Sequence, residues 1–364
     1  MKIKRRIFSF ILTLVIMIGT IGSVPAIVAK AEIVPENGSP NIIWDKSCSG
    51  TVSAKAVHRF YFTLQSSGKV SFTGTTSNTS TRYPTKFVLY NDAGEVIRKI
   101  RVGDQITALS AELLAGKYYF EIDNYGNDDS HRDRDYNFIP SFIPSNETKS
   151  ENYLTDNNSA GSATPYTLGT NYVGHLANND DKDVYVFKVS KPGTITITMS
   201  SSVLRGYSFE LINTSGSIKH SKNDLGVGRK ISDPYFLPSG KYYLTVNRKN
   251  TDDGYVGNYS FVIKYSAIPK TLVKKAVNSS KKTVTVKWKK SKKADGYRVG
   301  IYKTKACKKA VKIKNIEGNN KNSCKFSKLK KGTYYVRIKT IVKDNNGKPY
   351  YSDWSKVIKV KVKK

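Results

Sequence analysis

Asp180, Asp181 and Asp183 crowd into the stretch "ANNDDKDVYVF", just ahead of an alternating apolar run. Carboxylates at that density have two common uses. They gather around a hard cation such as Ca²⁺, which takes about six to eight oxygen ligands, several of them charged. Alternatively they form a solvated acidic turn. Both readings are open at this point. Catalytic constellations are absent from the sequence. The four histidines, His58, His131, His175 and His220, are scattered, and the sequence holds no Gly-x-Ser-x-Gly, His-Glu-x-x-His, phosphate loop or Cys-x-x-Cys. The expectation is a protein that is not an enzyme.

The elements that must position these acids read as strands. Short alternating runs such as "GKVSFTG", "KFVLYNDAG", "DVYVFKVSKPG", "TITITMS" and "KTVTVKWKK" are punctuated by Gly, Asn, Asp, Ser and Pro. Sustained helical periodicity is missing. The chain also repeats itself. "FVLYNDAGEVI" at 87–97 matches "FELINTSGSIK" at 209–219. "LLAGKYYFEI" matches "LPSGKYYLTV", Asp128-Asp129 matches Asp252-Asp253, and Tyr136-x-Phe138 matches Tyr259-x-Phe261. The offsets stay near 122–125 residues, which indicates a duplicated domain. The expected fold is all-β: three tandem β-sandwich domains after an N-terminal signal peptide. The expected spans are 1–31 for the leader, 40–145 and 151–266 for the two copies, and 270–364 for a third domain, with "IPSNETKSEN" as a linker.

One phrase occurs in all three: "GKYYFEI" at 116–122, "GKYYLTV" at 240–246 and "GTYYVRI" at 332–338. Period two sets Tyr118, Tyr242 and Tyr334 inward with the apolar residues and the second tyrosine of each pair outward. An inward tyrosine at a strand start can send its hydroxyl to nearby backbone, as in a tyrosine corner. The phrase reads as architecture rather than as a site. Among the 24 tyrosines, Tyr119, Tyr243, Tyr255, Tyr350 and Tyr351 are expected on outer faces, where they serve sheet packing or meet sugars or a protein strand.

Composition bounds the compartment and the partners. Lys2, Lys4, Arg5 and Arg6 precede an apolar run from Ile7 to about Ala29, and Ala29-Lys30-Ala31 offers a small-x-small cleavage site. Cleavage leaves a chain with no transmembrane segment; an uncleaved anchor is the alternative. The protein is expected to be secreted or associated with the cell surface. Three cysteines are too few for a disulfide scaffold, although Cys307 and Cys324 lie in one domain and a pair between them is open. Of the net charge of +33, residues 270–364 carry +27, with 31 basic and four acidic residues, whereas residues 32–269 are nearly balanced at 25 and 24. Such a module attracts polyanions. Candidate partners are an anionic cell-wall polymer, an acidic glycan or a matrix protein. The third module has 29 Lys and two Arg, which suits diffuse attraction more than sequence-specific reading of nucleic acid. A compositional habit, rich in Lys, Asn, Ile and Tyr, explains the same charge without a partner.

The third module resembles a fibronectin type III domain. Val284-Val286-Trp288, Asp295-Gly296-Tyr297, Leu329 with Gly332 and Tyr334, and "YSDWSKVIKVKV" as a final strand carry the likeness. The duplicated modules resemble bacterial prepeptidase C-terminal domains. The likeness rests on "ENYLTDNNSAGSA", Gly174-x-Leu176, "DDKDVYVFKVSKPGTITITMS" and "LPSGKYYLTV" in the better copy. Such modules occur in secreted and cell-surface proteins of Gram-positive bacteria. More distantly, the collagen-binding domains of secreted collagenases are similar. That resemblance implies calcium held between an acidic linker and an Asp-x-x-Asp at a strand start. Here Asp180 and Asp183 match the latter, and Glu151, Asn152, Asp156 and Asn157 are the linker candidates, with Asp181 beside them. The corresponding stretch of the first copy, "SAKAVHRFYF", has no acid, so the fold does not require the cluster. The expected function is a non-catalytic exported binding or adhesion protein. The alternative is an accessory substrate- or enzyme-binding protein of a secreted hydrolase or peptidase system.

Overall fold

The structure, a computed structural model, describes residues 33–35, 43–80, 82–125, 132–201, 205–228, 230–250, 255–344 and 346–363. The expected leader, His131 and the paired aspartates at 128–129 and 252–253 lie outside the described residues. The described residues form strands without α-helix, and no helix among them is long and apolar enough to cross a membrane.

The first module contains β1 (Ile33–Pro35), β2 (Cys48–Val52), β3 (Val57–Leu64), β4 (Gly68–Thr76), β5 (Thr85–Asn91), β6 (Val96–Val102), β7 (Thr107–Leu113), β8 (Gly116–Asp123) and β9 (Arg134–Pro144). The second contains β10 (Thr164–Pro165), β11 (Tyr172–Leu176), β12 (Lys182–Val189), β13 (Gly193–Ser200), β14 (Tyr207–Asn213), β15 (Lys219–Leu225), β16 (Ile231–Leu237), β17 (Gly240–Arg248) and β18 (Gly257–Ala267). Sheet orders β1-β3-β8-β5-β6 and β2-β9-β4-β7 recur as β10-β12-β17-β14-β15 and β11-β18-β13-β16. Strand by strand, the duplication read in the sequence is a duplication of topology. The copies differ at one edge: β1 runs antiparallel to β3, whereas β10 runs parallel to β12. Strand β1 also precedes residue 40, where the sequence pattern starts the first copy.

The third module contains β19 (Val273–Ser280), β20 (Thr283–Trp288), β21 (Gly296–Tyr302), β22 (Ala310–Glu317), β23 (Ser323–Phe326), β24 (Gly332–Lys343), β25 (Pro349–Tyr351) and β26 (Ile358–Val362). Sheet β19-β20-β23 faces sheet β22-β21-β24-β25, and β26 pairs with β24. Each module closes over its own apolar cluster. Phe60, Phe72 and Phe120 lie in the first, Tyr185, Ile197 and Leu244 in the second, and Trp288, Tyr297 and Val336 in the third. Period-two alternation explains this: β13 is buried at every other residue from Gly193 to Met199. All three cysteines are free thiols, and burial pushes Cys48 and Cys324 up to about 11.

The repeated Gly-x-Tyr-Tyr phrase opens β8, β17 and β24. Tyr118, Tyr242 and Tyr334 are each about 1% exposed. Each hydroxyl donates to the carbonyl four residues earlier: Leu114 at 2.9 Å, Pro238 at 2.9 Å and Lys330 at 2.8 Å. The hydroxyl supplies the donor that the turn carbonyl lacks, so one side chain ties the turn to the core. The outer-face tyrosines are less exposed than their alternation suggests. Tyr119 stacks on Tyr90 with centroids 4.6 Å apart, and Tyr350 lies 5.1 Å from Phe236. Tyr242→Phe leaves the Pro238 carbonyl without its donor and should cost about 1 kcal/mol. Denaturant unfolding of the chain, followed at the second module's transition, checks this; a variant as stable as the wild type would show the hydroxyl to be dispensable.

Candidate functional site

Strand β12 starts the site. Its alternation turns Asp183 inward with Tyr185 and Phe187, and Asp183 is fully buried. Asp180 closes the turn before the strand and is 3% exposed. Glu151, from the segment that follows β9, is 9% exposed. One carboxylate oxygen from each of the three lies within 4.8 Å of the others.

In every one of these carboxylates one oxygen is held and the other is free. Asp183 Oδ2 accepts from the Tyr259 hydroxyl at 2.5 Å, and Asp180 Oδ1 accepts from the Lys182 N–H at 3.2 Å. Glu151 Oε1 accepts from the Asn157 amide. Glu151 Oε2, Asp180 Oδ2 and Asp183 Oδ1 are buried without a hydrogen-bond partner. Asn158 donates its side-chain amide to Asp156 Oδ2 at 2.9 Å and also acts as a hydrogen-bond donor toward Asp180, while its buried Oδ1 has no partner. Buried oxygens without partners are costly, and three of these belong to acids that lie together.

The second layer fixes these orientations. Tyr185 and Tyr259 share a hydrogen bond at 2.7 Å. Since Tyr259 gives its proton to Asp183, Tyr185 donates to Tyr259. Gly174 lies under both hydroxyls; a Cβ there would come within 2.4 Å of the Tyr259 oxygen and 2.5 Å of the Tyr185 oxygen. That explains the glycine of Gly174-x-Leu176. Asn157 donates to Glu151 and to Thr164 Oγ1, and accepts from the Val184 N–H at 2.8 Å.

Of the five acids singled out in the sequence, the structure gathers Glu151, Asp180 and Asp183. Asp156 stands outside the trio, with both oxygens accepting from Asn158. Asp181 is exposed at the turn, where its carbonyl accepts from the Arg248 N–H at 3.0 Å. Asn152 caps a local turn through Leu154. Asn158 escaped the sequence reading. Its one signal there was its place in the run "TDNNS".

Electrostatics follow from burial. Desolvation pushes the carboxyl of Glu151 up to about 8 and that of Asp180 up to about 7, and it holds Asp183 well above the ordinary range. Repulsion adds to the shift, from Asp180 and Glu147 on Glu151, from Asp180 and Glu151 on Asp183, and from Asp156 and Asp181 on Asp180, while a hydrogen bond between Glu151 and Asp183 lowers the former. Arg248 lies near Asp180 and Asp181, but its Nη2 is spent on the Asn178 carbonyl at 3.3 Å. In the first copy His58 occupies the place of Asp183, by its register opposite Ile122 where Asp183 faces Val246. Its Nδ1 contacts the Tyr136 hydroxyl at 3.0 Å, so a neutral ring replaces the carboxylate–tyrosine pair.

The site also adjoins the seam between the first two modules. The Glu151 carbonyl accepts from the Ala115 N–H at 3.1 Å. Asn178 exchanges two bonds of 2.8 Å with the Glu112 backbone, and Asn179 donates to the Tyr118 hydroxyl at 2.9 Å. His175 is buried with its Nδ1 2.6 Å from Asn258 Oδ1 and its Nε2 3.5 Å from Glu112. Burial pulls its pKa down to about 4, so the ring is neutral near pH 7. His58, His175 and His220 lie apart, on Tyr136, Asn258 and Tyr235 respectively.

No family model matches the chain, and no curated protein does. Solved structures similar to it include the pre-peptidase C-terminal domain of a collagenase from Bacillus anthracis. That match has 26% identity, covers 28% of this chain and 94% of the other, and has a TM-score of 0.25. A two-domain fibronectin type III segment of chicken tenascin is 18% identical over 50% of this chain and 97% of its own, with a TM-score of 0.27. Domains FN1–FN3 of chicken CNTN1 are 14% identical over 92% and 98%, with a TM-score of 0.24. Structures of both kinds expected from the sequence are thus among those similar to this chain, an all-β string of sandwich modules.

With no ion present, the folded trio holds protons that the unfolded chain releases, so its contribution to stability is greatest at about pH 4 and falls as pH rises toward about 8. Asp183→Asn removes the most buried of these charges. Calorimetry in chelator across that interval should show the wild type losing stability relative to Asp183→Asn. Parallel curves would mean that the trio does not titrate in this way.

Proposed function

We propose that this chain is a non-catalytic exported binding protein, secreted or held at a cell surface, which attaches to an anionic polymer through its third module. The observation that carries the reading is the placement of charge: 31 basic residues against four acidic ones in residues 270–364. Lys287, Lys289, Lys359, Lys361 and Lys363 are all exposed. The four acids are engaged locally or with the neighbouring module. Asp295 accepts the Lys343 N–H and Glu317 pairs with Lys343. Asp344 caps a turn at Asn346 and Lys348, and Asp353 pairs with Lys191 and Lys270. A positive field reaching about 8 Å at physiological salt suits a linear polyanion more than a small ligand.

The second module, in this reading, binds calcium. Oxygen donors alone, three of them carboxylate, suit a hard cation. Glu151 Oε2, Asp180 Oδ2, Asp183 Oδ1 and Asn158 Oδ1 would hold it, with the remaining positions open to carbonyls or water. Because Glu151 and Asp180 adjoin the groups that grip the first module, a bound ion would also stiffen that seam.

Two measurements test the two halves separately. The purified chain should bind an anionic wall polymer at low salt and release it steadily as salt rises; no binding at low salt refutes attachment. Calcium at 100 times its Kd should stabilise the second module by about 2.7 kcal/mol. Asp183→Asn should abolish that gain, while Asp156→Asn/Asp181→Asn retains most of it. An equal loss in the double variant would place the ion elsewhere.

A further inference from the structure

The segment 351–362, which reads as one final strand in the sequence, is broken in the fold. Between β25 and β26, Ser352 and Ser355 leave the ladder. Their hydroxyls accept from the Thr340 and Ile338 N–H groups, each at 3.0 Å, while their own N–H groups donate to the carbonyls of the same two residues. Side chains stand in for a backbone partner, and the segment runs antiparallel along the edge of β24 from Tyr351 opposite Ile341 to Ile358 opposite Val336 without regular pairing between them. Tyr351 and Trp354 are thereby laid against side chains of β24.

They interleave with three cations. The Arg337 guanidinium lies 4.8 Å from the Tyr302 ring and 4.4 Å from the Trp354 ring. The Lys339 ammonium lies 4.8 Å from Trp354 and 4.1 Å from Tyr351. Arg298 lies 5.4 Å over Tyr351 and donates to its hydroxyl at 3.2 Å. The order is Tyr302, Arg337, Trp354, Lys339, Tyr351, Arg298. Arg298 and Lys339 are register partners on β21 and β24, so like charges stand directly opposite one another. Among the described residues none of the three cations has a carboxylate partner. Arg337 donates Nη2 to the Cys307 carbonyl at 3.0 Å, but its Nε is buried without a partner.

We propose that this cation–aromatic ladder is the seat of the anionic polymer, and that it takes the phosphodiester groups of a linear polyol-phosphate chain; this rests on the attachment reading above. The third module has only two arginines among its 31 basic residues, and both stand in the ladder. A compositional lysine habit does not explain that. Guanidinium groups offer the planar fork that matches a tetrahedral oxyanion, and the rings hold them in place before any ligand arrives. The remaining exposed lysines supply long-range attraction. The ladder supplies fixed contacts. The ring faces are already occupied by cations, which disfavours nucleic-acid bases or sugar rings that bind by stacking. A polymer recognised through its phosphates alone fits best.

The test uses the whole chain and purified poly(glycerol phosphate). Arg298→Gln/Arg337→Gln and Lys287→Gln/Lys289→Gln remove the same charge, the second pair from the opposite sheet. The ladder pair should weaken binding about tenfold or more and the control pair no more than about threefold, because only the first loses charge-assisted hydrogen bonds. Trp354 emission should shift on binding in the wild type and in a Trp44→Phe/Trp288→Phe background. Lys339→Gln against Lys287→Gln repeats the comparison should the arginine pair unfold, with melting curves run on every variant. Equal losses would sink the ladder while leaving diffuse attachment intact. Failure of the wild type to bind would sink both. Preferential capture of single-stranded DNA or heparin in competition would overturn the choice of ligand.

Discussion

Three carboxyl groups share one buried pocket, and they cannot all keep their charge there unaided. This constraint organises the second module. Every acid has one oxygen fastened by a donor from a different element: a tyrosine of β18, a strand amide of β12 and a linker amide. The orientation of each acid is therefore set by the surrounding fold rather than by its two neighbours alone. Protons relieve the crowding of charge up to about neutral pH; the calcium proposed above would have to displace them, so its binding and their release would be two sides of one equilibrium. The first copy has the same strand order but puts His58 and Tyr136 at the equivalent place, so the sandwich itself does not demand the acids.

What the sequence disclosed depended on how local each feature is. The tyrosine corners were legible because the turn glycine, the inward tyrosine and the next apolar residues sit in one seven-residue phrase. Asp183 was legible as one of three acids crowded at a strand start, where with Asp180 it matches an Asp-x-x-Asp. The same sequence could not separate it from Asp181, since acids at a turn and at a strand start look alike until the first strand residue is known. Glu151 and Asp156 both lie in an acidic linker, and only folding shows that Glu151 turns inward while Asp156 braces Asn158. Asn158 carries no charge to draw notice.

The ladder was hidden for a different reason. Its six residues come from three places, 298–302, 337–339 and 351–354, and the last stretch reads as ordinary strand. Nothing in its alternation reveals that Ser352 and Ser355 replace backbone partners. Side-chain hydroxyls compete with ladder pairing without leaving a periodic mark. The arginine count was visible, but its meaning reversed once positions were known. Two arginines among many lysines suggested diffuse attraction; two arginines stacked on the same pair of strands describe a place.

Attachment and module docking meet in that same short segment. Asp353 stands between Ser352 and Trp354, and its carboxylate is held by Lys191 of the second module and by Lys270 at the start of the third. Those two hydrogen-bonded lysines hold its pKa below the usual carboxylate range. Nearby, Phe236 meets Tyr350, and the Thr340 hydroxyl donates to the Pro269 carbonyl at 2.6 Å. The backbone that carries Trp354 is thus also the backbone that touches the second module. Individually such surface ion pairs contribute little. Their effect here is positional: moving the segment off the ladder also breaks its contacts to the second module, so the ordered cations and that junction share one stretch of backbone.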